Sequence, residues 1–103
     1  MDNAATSDTI RAEHAEVLAE LFKAFSDPSR LRIISALVNQ EMNVSAIAEA
    51  VGLTESATSH HLRGLRQMRL VRARKEGRQV FYCLLDEHVK ALYEIGLDHV
   101  MHE

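Results

Sequence analysis

Residues 43–68 read NVSAIAEAVGLTESATSHHLRGLRQM, and the reading of this stretch decides the fold. Asn43 is a good helix N-cap, and Val44, Ile47, Ala48 and Val51 behind it recur with the helical period. Gly52 suits the left-handed turn that ends such a helix, and Thr54 can cap the next one. The stretch is therefore a short helix, a three-residue turn and a second helix over about Glu55–Arg69. That second helix sets Ala57, Leu62, Leu65 and Met68 toward a core. Its opposite face presents Ser56, Ser59, His60 and Arg63 at i, i+3, i+4 and i+7. Hydroxyls, an imidazole and a guanidinium on one exposed helix face have the chemistry to read base edges and hold phosphates in a major groove.

On the C-terminal side, Leu70–Arg74 and Val80–Leu85 carry β-branched and aromatic residues and bracket Lys75-Glu76-Gly77-Arg78, a turn in which Gly77 can take positive φ. They predict a two-stranded hairpin with Lys75 and Arg78 at its tip, a wing placed to touch a phosphate backbone. On the N-terminal side, Val17, Leu18, Leu21, Phe22 and Phe25 predict a first helix over about Ile10–Ala24. Ser26-Asp27-Pro28 then caps and opens a second helix with Leu31, Ile34, Leu37 and Val38 inward. Asn39–Asn43 reads as a polar break. Residues 1–9 read as a flexible tail, 44–69 as the helix-turn-helix, 70–85 as the wing and 86–102 as a last helix, all within a single domain of 103 residues.

Charge supports a nucleic-acid surface only locally. The chain as a whole is at −3. Between residues 55 and 78, however, seven basic residues (Arg63, Arg66, Arg69, Arg72, Arg74, Lys75, Arg78) face only Glu55 and Glu76, and such a stripe is the footprint of a phosphate-binding surface. Hydrophobic residues at 47% and charged residues at 26% describe an ordinary globular chain with no membrane-spanning run. Cys83 is the sole cysteine, which excludes an internal disulfide and a multi-thiolate metal site within the chain. With a polar, acidic N-terminus in place of a signal peptide, a cytoplasmic protein is expected.

The last helix carries the spacing Asp86-x-His88-x10-His99-x2-His102. Asp86 alone is an ordinary N-cap, and histidines near a helix C-terminus favour the negative end of the dipole. Three of the six histidines at mutually consistent spacing point instead to a metal. At 1.5 Å rise per residue, His88 and His99 are roughly 16 Å apart, so one helix cannot hold one ion with both. If two copies cross antiparallel near Glu94, Asp86 and His88 of one chain oppose His99 and His102 of the other. Two-fold symmetry then makes two identical sites of nitrogen and oxygen ligands, a set that suits tetrahedral zinc. The spacing thus implies a homodimer.

Together these features closely resemble the ArsR/SmtB family of metal-sensing transcriptional repressors. The resemblance rests on Phe25-Ser26-Asp27-Pro28-Ser29-Arg30-Leu31-Arg32-Ile33, on Val51-Gly52-Leu53-Thr54-Glu55-Ser56-Ala57-Thr58-Ser59-His60-His61-Leu62, on the Gly77 wing and on the final ligand set. It implies a mainly α, homodimeric winged helix-turn-helix with a small β-hairpin wing, and a repressor that binds an inverted-repeat operator and is released by metal. It implies Asp86, His88, His99 and His102 as metal ligands for Zn(II), with Co(II) or Ni(II) as other effectors, and genes of metal efflux or homeostasis as targets. The DNA contacts expected are Ser56, Thr58, Ser59, His60, Arg63, Lys75 and Arg78. Where the family's thiolate sites carry cysteines, this chain has Asn43-Val44-Ser45, which argues against arsenite, lead or cadmium sensing there.

Other residues read more plainly. His61 is turned about 100° from His60 and reads as a packed or bridging residue. His14 reads as a surface histidine and Cys83 as a small buried hydrophobe. Four ligands close a zinc site, whereas catalytic zinc keeps an open position, and no nucleophile or oxyanion hole accompanies them, so neither an enzyme nor a small organic substrate is expected. A regulator with permanently bound structural zinc is the rival reading, and it differs in requiring metal to fold.

Overall fold

The computed structural model describes residues 8–102, and the N-terminal tail expected over 1–9 therefore falls mostly outside the described residues. The helices are α1 (Ala12–Phe25), α2 (Pro28–Leu37), α3 (Val44–Val51), α4 (Glu55–Gln67) and α5 (Glu87–Met101). The strands are β1 (Met42–Asn43), β2 (Val71–Glu76) and β3 (Gln79–Leu84).

Side-chain caps set most helix starts. Asp27 accepts from the Arg30 amide with Pro28 in the first turn, Asn43 from the Ala46 amide, Thr54 from the Ala57 amide, and Asp86 from the His88 and Val89 amides. Each satisfies amide donors that the first helical turn leaves without a carbonyl partner. Gly52 takes φ +73°, and the Gly52 and Leu53 amides both donate to the Ala48 carbonyl. This left-handed stop bends α3 into α4. Arg69 closes α4 in the same way at φ +61°, with the Leu70 amide donating to the Leu65 carbonyl.

The core is built from Ala24, Ile33, Ile34, Leu37, Ile47, Val51, Leu62, Leu65, Leu70, Val71, Leu84 and Val89. It lies where α2, α3 and α4 meet the base of the sheet, so the recognition helix and wing grow from one packed unit.

The sheet is antiparallel with order β1-β3-β2, which corrects the two-stranded hairpin expected from sequence. Part of the supposed polar break before α3 is a third strand, Met42 pairing with Tyr82 and Asn43 with Phe81. The wing turn is also tighter than expected: Glu76 pairs with Gln79, leaving Gly77 and Arg78 at the tip and Lys75 on β2. Gly77 has φ +64°, the conformation such a two-residue turn demands.

On α5, Leu92 and Leu97 are exposed, and of this helix only Val89 is fully buried. Within one chain α5 packs mainly against α2 and β3.

Candidate nucleic-acid interface and metal half-sites

On α4, Ser56, His60 and Arg63 are exposed and Ser59 is half-buried, so these four form one accessible face, as their spacing predicts. Thr58 does not belong with them. It is fully buried, and its hydroxyl donates to the Thr54 carbonyl at 2.8 Å. Its methyl fills the core while the hydroxyl is satisfied locally, so a DNA contact from this side chain is corrected to a packing role.

His61, next to the exposed His60, turns toward α2. Its Nδ1 accepts from Arg30 Nε at 3.3 Å and lies 4.0 Å from Asp27 Oδ2. The Arg30 guanidinium in turn covers Gly64, where an added Cβ would lie 2.8 Å from Arg30 Cζ. The N-terminal end of α2 thus fixes how α4 is presented. A side chain at Gly64 would push the Arg30 guanidinium aside, so the glycine lets Arg30 lie against the recognition helix as it does here.

Arg78 sits at the wing tip and Lys75 near it on β2, both exposed. Arg74 behind them is engaged elsewhere: its NH2 and Nε donate to Glu41 at 2.8 and 3.2 Å, and its NH1 to Glu76 at 2.9 Å. The bond from Arg74 holds the Glu41 carboxyl below the usual carboxylate range, and the two carboxylates push the Arg74 guanidinium further up. Because Glu41 is depressed, its pairing is complete above the ordinary carboxylate pKa and is lost only as pH falls through the lowered value.

At the start of α5, Asp86 Oδ1 accepts from the His88 and Val89 amides at 2.9 and 3.3 Å, while Oδ2 lies 3.5 Å from His88 Nδ1. Partial loss of water raises the Asp86 carboxyl, but the Val89 amide, the His88 ring and amide together outweigh it and lower it on balance. Capping therefore uses one carboxylate oxygen and leaves the other toward His88, whose side chain is 93% exposed.

At the other end of α5, His99 is exposed and His102 Nδ1 lies 2.8 Å from Asp98 Oδ1 and 2.9 Å from the Asp98 carbonyl. Asp98 was not among the residues singled out from sequence, although an acid four residues before a histidine on a helix is a readable signal. Among the described residues, no three histidine, cysteine or acidic side chains of one chain converge on a cation position. The four residues expected as ligands lie as two separate pairs, Asp86 and His88 at the start of α5 and His99 and His102 at its end.

Along the second half of α5, Ile95, Val100 and Met101 are 68%, 68% and 70% exposed, Val100 on the side of Leu92 and Leu97 and Ile95 on the side that carries His88 and His99. Val17 and Phe22 of α1 continue the surface, and a groove of about 510 Å³ between α1, α2 and α5 includes Phe22, Phe25, Leu92 and Leu97. An apolar face of this extent on a small chain marks an interaction surface.

A helix-turn-helix with an exposed polar and basic recognition face, flanked by a basic wing, defines a DNA-binding transcriptional regulator. Residues 27–73 match the family model described as bacterial regulatory protein, arsR family. The transcriptional repressor SmtB homolog of Synechocystis sp. is 47% identical over 90% of this chain and 70% of its own length. The HTH-type transcriptional regulator NmtR of Mycobacterium tuberculosis is 38% identical over 93% of this chain and 80% of its own. Among solved structures, a homodimeric winged helix-turn-helix DNA-binding domain from Mycobacterium bovis superposes with a TM-score of 0.81 at 30% identity, covering 99% of this chain and 93% of that one. The chain belongs to the arsR family.

Proposed function

We propose that this protein is a homodimeric, metal-responsive repressor whose apo form binds an inverted-repeat operator and whose DNA affinity falls when Zn(II) binds. The observation that carries the reading is the division of one ligand set between the two ends of an exposed apolar helix. Asp86 and His88 complete a tetrahedral site only if His99 and His102 of a second copy come to them, and the apolar face between the ends supplies the reason for that copy to dock. The SmtB homolog is a repressor and the Mycobacterium bovis domain a homodimer, which fits both halves of the proposal.

The donor set of imidazole nitrogens and carboxylate oxygen suits a borderline divalent cation, so Co(II) and Ni(II) are alternative effectors. When bound, the ion supplies coordinate bonds that tie the two α5 helices at a fixed angle. Val89 roots α5 in the core beside α2 and β3, and the same core carries Leu62 and Leu65 of α4. A change in the angle between the two α5 helices therefore moves the two recognition helices relative to each other. Ser56, Ser59, His60 and Arg63 read one half-site while Lys75 and Arg78 hold its phosphates, and two half-sites bind well only at one separation. The protein acts in the cytoplasm, on genes of metal efflux or homeostasis.

The experiment is an operator titration, using a duplex selected by the protein from a random pool, first with chelator and then with excess zinc. Zinc is expected to weaken binding by a factor of about 5 to 150, the usual range for coupled sites. Equal or tighter binding with zinc contradicts the proposal. A protein that unfolds in chelator supports structural zinc instead.

A further inference from the structure

Three consecutive residues before α3 reach across to the wing. Glu41 receives two hydrogen bonds from Arg74 of β2, Met42 pairs with Tyr82 of β3, and Asn43 pairs with Phe81 while its Nδ2 donates to Gln79 Oε1 at 2.7 Å. Asn43 is also the N-cap of α3, its Oδ1 accepting from the Ala46 amide at 2.8 Å. One short segment thus starts the first helix of the helix-turn-helix and clasps the wing.

Arg74 is the centre of this clasp. Its guanidinium lies 5.2 Å from the centroid of the Phe81 ring, within cation–π range, and its charge is met by Glu41 on one side and Glu76 on the other. An isolated exposed ion pair contributes little, but here a forked pair, a second carboxylate, a ring face and a neighbouring backbone ladder converge on one side chain. Held in this way, Arg74 has its Nε–H and one N–H of each terminal nitrogen committed to carboxylates, so a phosphate would have to compete with Glu41 and Glu76 for it. Lys75 and Arg78, further out, carry no such partners among the described residues.

We propose that Arg74 is a positioning residue: clasped by Glu41 and Glu76, it fixes the wing to the segment that begins α3, so that Lys75 and Arg78 meet the DNA backbone at a set distance from the recognition face of α4. The inference rests on the DNA-binding reading of this chain. It makes Arg74 the basic residue of the wing that does not contact DNA.

The test compares Arg74→Met, Glu41→Gln and Arg78→Ala by two measurements. The first is amide hydrogen exchange of β1, β2 and β3 without DNA. The second is affinity for the selected duplex and for a random duplex over a range of salt. Arg74→Met and Glu41→Gln should both speed exchange in the wing and weaken selected-duplex binding several-fold with an unchanged salt slope, and the double variant should be no worse than the more affected single. Arg78→Ala should instead leave exchange unchanged and lower the slope by about two, the signature of one lost phosphate contact in each protomer of the dimer. A slope lowered by about two in Arg74→Met, with exchange unchanged, makes Arg74 a phosphate contact and overturns the proposal. Unchanged exchange and affinity in both clasp variants overturns it equally. If Arg74→Met fails to fold, Glu41→Gln decides by the same criteria. Because exchange is read without DNA, failure of the clasp is distinguishable from failure of the DNA-binding reading, which would show as no selected-duplex binding by the wild type.

Discussion

His99→Ala is expected to remain a folded dimer that binds its operator in chelator nearly as tightly as the wild type, and to lose release by zinc. Among the described residues the His99 side chain makes no hydrogen bond or ion pair, and it lies exposed in the last turn of α5. Truncating such a side chain should change stability by no more than about 0.5 kcal/mol, and alanine is the better helix former. Its loss removes one ligand from each of the two proposed sites, so the effect falls on metal binding. The measurement is operator affinity with chelator and then with zinc, wild type and variant side by side. A variant that unfolds or loses apo binding favours permanently bound structural zinc. One still released normally moves the sensing site elsewhere, with the exposed His14 of α1 the next residue to change.

Ile95→Glu should abolish the dimer while leaving each chain folded. Ile95 contributes nothing to the core, being 68% exposed beside the proposed crossing point at Glu94. In a paired state the new carboxylate would be buried against apolar side chains without a partner, whereas in the separate chain it is simply solvated. Sedimentation should find monomers at concentrations where the wild type is dimeric, with an unchanged helical circular-dichroism spectrum. Operator binding should fall by orders of magnitude, because a monomer holds one half-site alone, and tight zinc binding should vanish with it. A dimeric Ile95→Glu protein would place the interface on another surface.

The parts of the fold legible in the sequence are those fixed by local chemistry. Asn43, Gly52, Thr54 and the Asp27-Pro28 pair act within a few residues of themselves, so the helix boundaries around the recognition helix followed from composition and spacing. Strand β1 did not, because two residues have little intrinsic pattern and are strands only by virtue of pairing with Tyr82 and Phe81, some forty positions away. The clasp of Arg74 by Glu41 was hidden for the same reason, and the local count of basic charge overstated what the wing offers to DNA.

Thr58 failed differently. It was expected at the DNA from the family resemblance, but a threonine can pack its methyl inward when the preceding turn's carbonyl accepts its proton, as Thr54 does here. For α5, the apolar period was readable and its covering was not. Leu92 and Leu97 line an open groove with Phe22 and Phe25, and periodicity does not say what covers it. His61 went the other way: a rotation of about 100° from His60 was enough to set it against α2, and Arg30 and Asp27 meet it there.

The claim that a metal site is shared between two chains is tested most directly by mixing His88→Ala with His99→Ala protomers and titrating with cobalt. Each variant alone damages both symmetric sites. In the mixed dimer one site collects both lesions and the other collects neither, so one tight tetrahedral site per heterodimer should return, with its visible d–d bands and no thiolate charge-transfer band. No recovery of a tight site on mixing, or full tight binding by either variant alone, would contradict it.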